Sequence, residues 1–297
     1  MNRPGPIDGV APSHLQLPPG PWATVFEALC AHFPQVPPHA WRDRFARGRV
    51  LVADGAVLAA NAPHRTGLDV YYYREVVQEA RLPVEEVIVH VDEHLIVVDK
   101  PHFLPVTPAG RFVSETLLAR LVRRFDDARI APLHRIDRLT AGLVMFSRKP
   151  AARERYQALF RERRIHKRYE ALAAPLAQVT FPLVRSTRVE RGEPFFRMRE
   201  VDGPPNSETR IDVIAQGDGV WRYSLEPVTG RKHQLRVHMA ALGAPILGDP
   251  LYPVLADQDA DDFARPLSLL ARSLAFVDPL DGRRRCFESG MGLAADA

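Results

Sequence analysis

Only two cysteines, Cys30 and Cys286, occur in the 297 residues, and they form no Cys-x-x-Cys pair. Neither a disulfide framework nor a thiolate zinc site is expected from them. No apolar run approaches the ~20 residues of a membrane span, and the proline-rich N-terminus does not read as a signal peptide. A soluble, reduced, cytoplasmic protein is expected, with no membrane partner. No Gly-x-x-x-x-Gly-Lys-Ser/Thr loop cradles nucleotide phosphates, the eleven histidines form no His-Glu-x-x-His pair, and no Gly-x-Ser-x-Gly elbow presents a serine nucleophile. These absences remove the common routes to nucleotide, metal and serine chemistry.

What is present is an ordinary globular composition, 46% hydrophobic and 26% charged, with a net charge of only +4. That length suits about two domains of ~150 residues. The central stretch runs His134-Arg135-Ile136-Asp137-Arg138-Leu139-Thr140 and then becomes apolar and strand-like to Phe146. Arg135 and Arg138 bracket Asp137 in sequence, and neighbouring guanidiniums favour an ionised carboxylate suited to an anionic substrate. Two further segments carry chemistry. Lys167-Arg168-Tyr169-Glu170-Ala171-Leu172 sets a phenol in a strand, and Gly230-Arg231-Lys232-His233-Gln234-Leu235-Arg236 leads to Gly248-Asp249 and Tyr252. A carboxylate, a phenol and several guanidiniums can act together on a base and its sugar.

Residues 1–20 hold Pro4, Pro6, Pro12, Pro18 and Pro19 and read as an irregular arm. Residues 21–81 read as a small domain. Trp22, Phe26, Leu29 and Phe33 mark one helix face, and Trp41 and Phe45 open a second helix that stops at Gly48. Val50 to Val52 and Val57 to Leu58 then form a hairpin around Asp54-Gly55. Arg42, Arg44, Arg47 and Arg49 beside the second helix suit RNA or a solvated face equally well. From residue 82 to 297 a second domain begins with a hairpin, 87–91 and 95–98. A helical stripe follows at Leu117, Leu118, Leu121, Val122 and Phe125. Ala152, Tyr156, Leu159 and Phe160 define another helix, whose polar side carries Arg153, Arg155, Arg161, Arg163 and Arg164 and runs into Lys167 and Arg168. Such a stripe is the local footprint of phosphate contacts. Strands 209–215 and 220–226 flank Gly217-Asp218-Gly219, and a helix from His233 to Leu242 ends at Gly243. Strands with interspersed helices indicate an α+β fold.

Taken together, HRIDRLTAGLVMFSR, KRYEAL and GRKHQLRVHMAALGAPILGDPLY resemble the RluA family of pseudouridine synthases. Lys100-Pro101 and Leu104-Pro105-Val106 resemble the family's first segment, and the similarity spans roughly residues 85–280. Residues 22–80 resemble the S-four-like RNA-binding domain, although Ala40-Trp41-Arg42 replaces its usual Ser-Arg pair. The resemblance implies a largely antiparallel mixed sheet flanked by helices, behind a small N-terminal α/β-hairpin domain. It also implies isomerisation of specific uridines in structured RNA, ribosomal RNA being favoured over transfer RNA, by a protein expected to be a monomer. Asp137 corresponds to the catalytic aspartate, which attacks the nucleotide or takes a sugar proton while uracil detaches, rotates and rejoins through carbon. Tyr169 corresponds to the tyrosine that stacks on the base, Arg236 to the partner of the aspartate and Leu235 to the apolar wall. Arg135 corresponds to the residue that enters the RNA stack, and Arg138, Lys167, Arg168, Arg231 and His233 are expected to bind substrate. An isomerisation needs no metal and no nucleotide cofactor. Ala141 and Arg148 stand where the family commonly has Ser and Lys. A catalytically silent RNA-binding protein and an N-glycoside hydrolase remain open as alternatives.

Overall fold

Residues 3–74, 79–256 and 261–293 are described by a computed structural model, and the chain divides into two units. One comprises Met1–Ala80 with Pro108–Ala128, the other Arg81–Thr107 with Arg129–Ala297. The segment 108–128, expected to belong to the second domain, clusters instead with the N-terminal residues.

In the first unit β1 (Ser13–Gln16) and β2 (Val50–Leu51) flank β3 (Asp69–Tyr72), both antiparallel. The expected irregular arm therefore contains a strand. Leu15 packs on the core and Leu17 is fully buried, and the prolines stand outside the four paired residues. Helix α1 (Val25–His32) starts at a capping box in which Thr24 and Glu27 exchange side-chain and backbone hydrogen bonds. Helix α2 (Pro38–Ala46) starts three residues before Trp41, because Pro38 sits in the first turn, where no N–H is needed. The expected hairpin forms around Asp54-Gly55, with Val52 N–H donating to the Ala56 carbonyl at 2.9 Å and Leu58 N–H to the Val50 carbonyl at 2.8 Å about the Leu51–Val57 bridge, while the ladder partner of β2 is the distant β3. Helix α3 (Leu117–Phe125) is capped by the Thr116 hydroxyl on Ala119 N–H and buries Ala119 against Val10 and Val113. Ahead of it, the Glu79 carboxylate accepts the backbone N–H groups of Val113, Ser114 and Glu115 at 2.8–2.9 Å.

The second unit is an eleven-stranded sheet. Its strands are β4 (Val87–Val91), β5 (Leu95–Lys100), β6 (Ala131–Pro132), β7 (Ala141–Ser147), β8 (His166–Ala173), β9 (Leu183–Arg191) and β10 (Met198–Val201). They continue with β11 (Ser207–Gln216), β12 (Trp221–Pro227), β13 (Leu269–Val277) and β14 (Arg284–Glu288). The order is β10-β9-β11-β12-β8-β13-β7-β5-β4, with β14 on β13 and β6 on β7. Every pairing is antiparallel except β13 with β7, so the α+β expectation holds. Helix α4 (Pro150–Arg161) lays Ala152, Tyr156 and Leu159 on Leu143 and Met145 of β7. Helix α5 (Gln234–Ala241) lays Leu235 and Met239 on Ala171, Tyr223 and Leu225.

Gly142 lets β7 enter the sheet. Its φ is +107° and an added Cβ would stand 2.3 Å from the Ala271 carbonyl oxygen, so only glycine admits this approach. The loop carrying Asp137 is thereby delivered to the head of β7.

Candidate active site

The charges nearest to Asp137 in sequence are not its partners. Arg138 turns away and forms a two-pronged pair with Asp261, both contacts 2.8 Å, while Arg135 is exposed and meets no acceptor among the described residues. The guanidinium that meets Asp137 comes from α5, 99 residues on: Arg236 Nη1 donates to Asp137 Oδ2 at 3.1 Å. Arg236 is itself fixed from behind, with Nε and Nη2 donating to the two oxygens of Asp249 at 2.8 and 2.7 Å. Both members of that pair are buried, Arg236 to 2% and Asp249 to 1% side-chain exposure, whereas Asp137 keeps 26%. Burial works against the Arg236 charge, but the Asp249 and Asp137 carboxylates outweigh it and raise its pKa further.

Asp249 sits where it does because Gly248 takes φ +72° in a turn whose Cβ would strike the Pro266 carbonyl at 2.3 Å. Its Oδ1 also accepts the Leu251 and Tyr252 N–H groups at 2.8 and 3.2 Å. An N-glycoside hydrolase would need a second carboxylate beside Asp137, and both oxygens of Asp249 are already committed in the fold.

The Asp137 loop is pinned by Lys100 at the end of β5. This fully buried ammonium donates to the carbonyls of Pro101 at 2.8 Å and Arg138 at 3.1 Å. Burial lowers its pKa well below the usual lysine value, against the opposing pull of Asp137. His102 adds a second clamp, its Nδ1 donating to the Leu139 carbonyl at 2.6 Å. Beneath the loop, His134 stacks on Phe160 and its Nε2 accepts the Met145 N–H at 3.1 Å. Burial drives the pKa of that imidazole down to about 3, so it is neutral. Sequence reasoning saw Lys100 only as part of a resemblance; the Asp99-Lys100 pair closing the apolar run 95–98 was the available signal.

Tyr169 lies midway along β8, partly buried against the core that holds Leu235 and Leu139. Burial and the Asp137 charge both push its phenol above the ordinary tyrosine value. Leu235, 8% exposed, supplies an apolar wall. Lys167 is on the same face of β8 as Tyr169, with its pKa lowered to about 8 by burial and by Arg163. Arg168 is one residue out of phase. It points to the opposite face and pairs with Glu170 at 3.4 Å, so it does not join the site. Arg231 is also diverted, its Nε donating to the Asn206 carbonyl at 3.1 Å. His233 does converge: its Nε2 lies 3.8 Å from Asp137 Oδ2. Around the basic helix all four of Arg155, Arg161, Arg163 and Arg164 are exposed; Arg161 and Arg164 pair with Glu154 and Glu162, whereas the guanidiniums of Arg155 and Arg163 meet no acceptor among the described residues.

Comparison with known proteins points the same way. A family model described as RNA pseudouridylate synthase matches residues 94–241. A dual-specificity RNA pseudouridine synthase RluA of Pasteurella multocida is 34% identical over 208 residues, covering 65% of this chain and 87% of that protein. A Synechocystis protein named as an uncharacterized RNA pseudouridine synthase is 30% identical over 225 residues, covering 72% of this chain and 74% of that protein. Among solved structures, human RNA pseudouridylate synthase domain containing 1 superposes with a TM-score of 0.57 at 28% identity, covering 70% of this chain and 84% of that one. With sequence relatives, family model and fold in agreement, the chain belongs to the RluA family of RNA pseudouridine synthases.

Proposed function

We propose that Asp137 performs the isomerisation, with Tyr169 beneath the base and Arg236 holding the carboxylate in place. The observation that carries this reading is the asymmetry of Asp137: Oδ2 is bound by Arg236, while Oδ1 meets no donor among the described residues and the side chain keeps a quarter of its surface. Oδ1 is then the oxygen that attacks the sugar or takes its proton. A phenol kept neutral at pH 7 suits Tyr169 to stacking first. If Asp137 becomes an ester with the sugar, the carboxylate charge that raises Tyr169's pKa disappears, and the phenol becomes easier to deprotonate for the final proton removal. A uridine must leave its stack to reach this site, at a cost of a few kcal/mol. Exposed Arg135, Arg155 and Arg163 are suited to offset that cost through RNA contacts. The commitment of both Asp249 oxygens to Arg236 counts against its service as the second, water-activating carboxylate of a hydrolase.

The first unit is assigned here to RNA affinity, with Arg42, Arg44 and Arg49 stacked over Phe26, Trp41 and Tyr73 as aromatic-backed cations. We assign the protein to the cytoplasm as a monomer; among the described residues no helix is long and apolar enough to cross a membrane. Ribosomal RNA is the favoured substrate, and the dual-specificity name of the Pasteurella relative argues for testing transfer RNA beside it.

Pseudouridine mapping in total RNA from cells with and without the gene tests the assignment. One or a few sites should disappear on deletion, return with the native chain and stay absent with Asp137→Asn. Restoration by Asp137→Asn would sink the role given to Asp137.

A further inference from the structure

His233 was expected to touch substrate, yet its surroundings give it a different task. It stands just before α5 in the left-handed region, φ +56°, which histidine enters more readily than most non-glycine residues. Its ring is 92% buried, since the side chain keeps only 8% of its surface. Nδ1 lies 2.9 Å from the Tyr252 hydroxyl and Nε2 lies 3.8 Å from Asp137 Oδ2. Tyr252 is also buried, and its oxygen accepts the Met198 N–H at 2.7 Å.

These contacts favour one arrangement of the protons. The Tyr252 oxygen is already an acceptor, so its single proton is free for Nδ1. An imidazole that accepts at Nδ1 carries its proton on Nε2, facing the carboxylate. The opposite tautomer would aim the Nε2 lone pair at Asp137 Oδ2, setting two acceptors against each other. A doubly protonated ring is disfavoured as well, because burial lowers the His233 pKa to about 4 despite the pull of Asp137.

We propose that His233 is a positioning residue: oriented by Tyr252, it presents Nε2–H to Asp137 Oδ2 and, with Arg236, reserves that oxygen so that Oδ1 alone reacts. This rests on the assignment of Asp137 as the reacting group. Tyr252 is shared by both supports, its ring lying 5.3 Å from the Arg236 guanidinium carbon. The 3.8 Å separation exceeds a hydrogen bond, and a shift of under about 1 Å closes it, as such contacts commonly do when substrate binds.

The test has two parts, both on the full chain. Nitrogen-15 NMR of histidine-labelled protein at pH 7, with His233 assigned by the signal lost in His233→Gln, reads the tautomer directly. A neutral ring protonated at Nε2, with that preference weakened in Tyr252→Phe, is expected; protonation at Nδ1, or an imidazolium, overturns the proposal. This readout needs no RNA, so it stands apart from any failure of the Asp137 assignment. Single-turnover kinetics follow on an unmodified transcript carrying the uridine found by mapping. His233→Gln, whose amide can reach the place of Nε2–H, should lose about tenfold in rate and His233→Leu about a hundredfold, with RNA affinity unchanged in both. Both variants bear the same backbone cost, and matched melting temperatures exclude unfolding. Weakened RNA binding at an unchanged rate would make His233 a substrate contact and overturn the proposal.

Discussion

The two faces of β8 handle charge in opposite ways. On one, the single carboxylate of Glu170 is surrounded by guanidiniums: Arg272 at 3.0 Å, Arg168 at 3.4 Å and Arg222 at 3.9 Å. On the other, the single guanidinium of Arg236 is divided between Asp249 and Asp137. The first arrangement saturates its carboxylate and leaves nothing to react. The second saturates Asp249 and leaves one oxygen of Asp137 unclaimed. Both are charge clusters rich in arginine, and only the ratio of donors to acceptors separates a structural tie from a reactive group.

Substitutions on the two faces should therefore fail differently. Asp249→Asn removes the rear support of a buried guanidinium, a change expected to cost about 3–5 kcal/mol. The liberated Arg236 is then free to take both oxygens of Asp137, so turnover per folded molecule should fall by at least about a hundredfold. Glu170→Gln should cost about 2–3 kcal/mol in a urea titration, since it leaves guanidiniums without their carboxylate. Its turnover per folded molecule should stay within about threefold of the native chain. Equal losses of rate in the two variants would erase the distinction.

Acid should act on the same contrast. His134 titrates at about 3 and His233 and His238 at about 4, all lowered by burial, against 6.5 in the unfolded chain. The unfolded chain binds protons that the native chain refuses, so these groups support the fold above pH 6.5. That support is lost as pH falls from 6.5 towards 4. These three should together contribute nearly three protons to the uptake on unfolding near pH 5, read from the pH dependence of the urea midpoint, and His134→Gln should lower the total by about one. The smallest effects distinguish two arginines of the sequence reading. Arg135→Ala should weaken RNA binding severalfold, while Arg168→Ala, tied to Glu170, should leave binding unchanged in a filter assay and alter stability by under about 1 kcal/mol.

How much of this was legible depended on the distance over which a signal acts. The apolar period of 141–147 and of 152–160, and the glycine after Leu242, are local properties, and the corresponding elements formed where expected. The alternation in β8 was equally local, and applied strictly it would have placed Arg168 away from Tyr169. The ionic partner of Asp137 was not legible by proximity: the flanking arginines looked sufficient, and the one that pairs with it lies 99 residues away. The strand Ser13–Gln16 was hidden by the prolines around it, and its partner Asp69–Tyr72 lies beyond any local pattern. Lys100 and Asp249 became visible as supports only when the fold brought carbonyls and guanidinium to them.

The Glu79 clamp on Val113, Ser114 and Glu115 bears on how this protein could be recombined. An N-terminal cassette cut at residue 80 would omit 108–128, which includes the α3 side chain that packs on Val10 and the amides that Glu79 fills. The exchangeable module is discontinuous, threaded through the coding order of its neighbour. A chimaera that swaps residues 1–80 between relatives should tolerate the graft only when 108–128 travels with it.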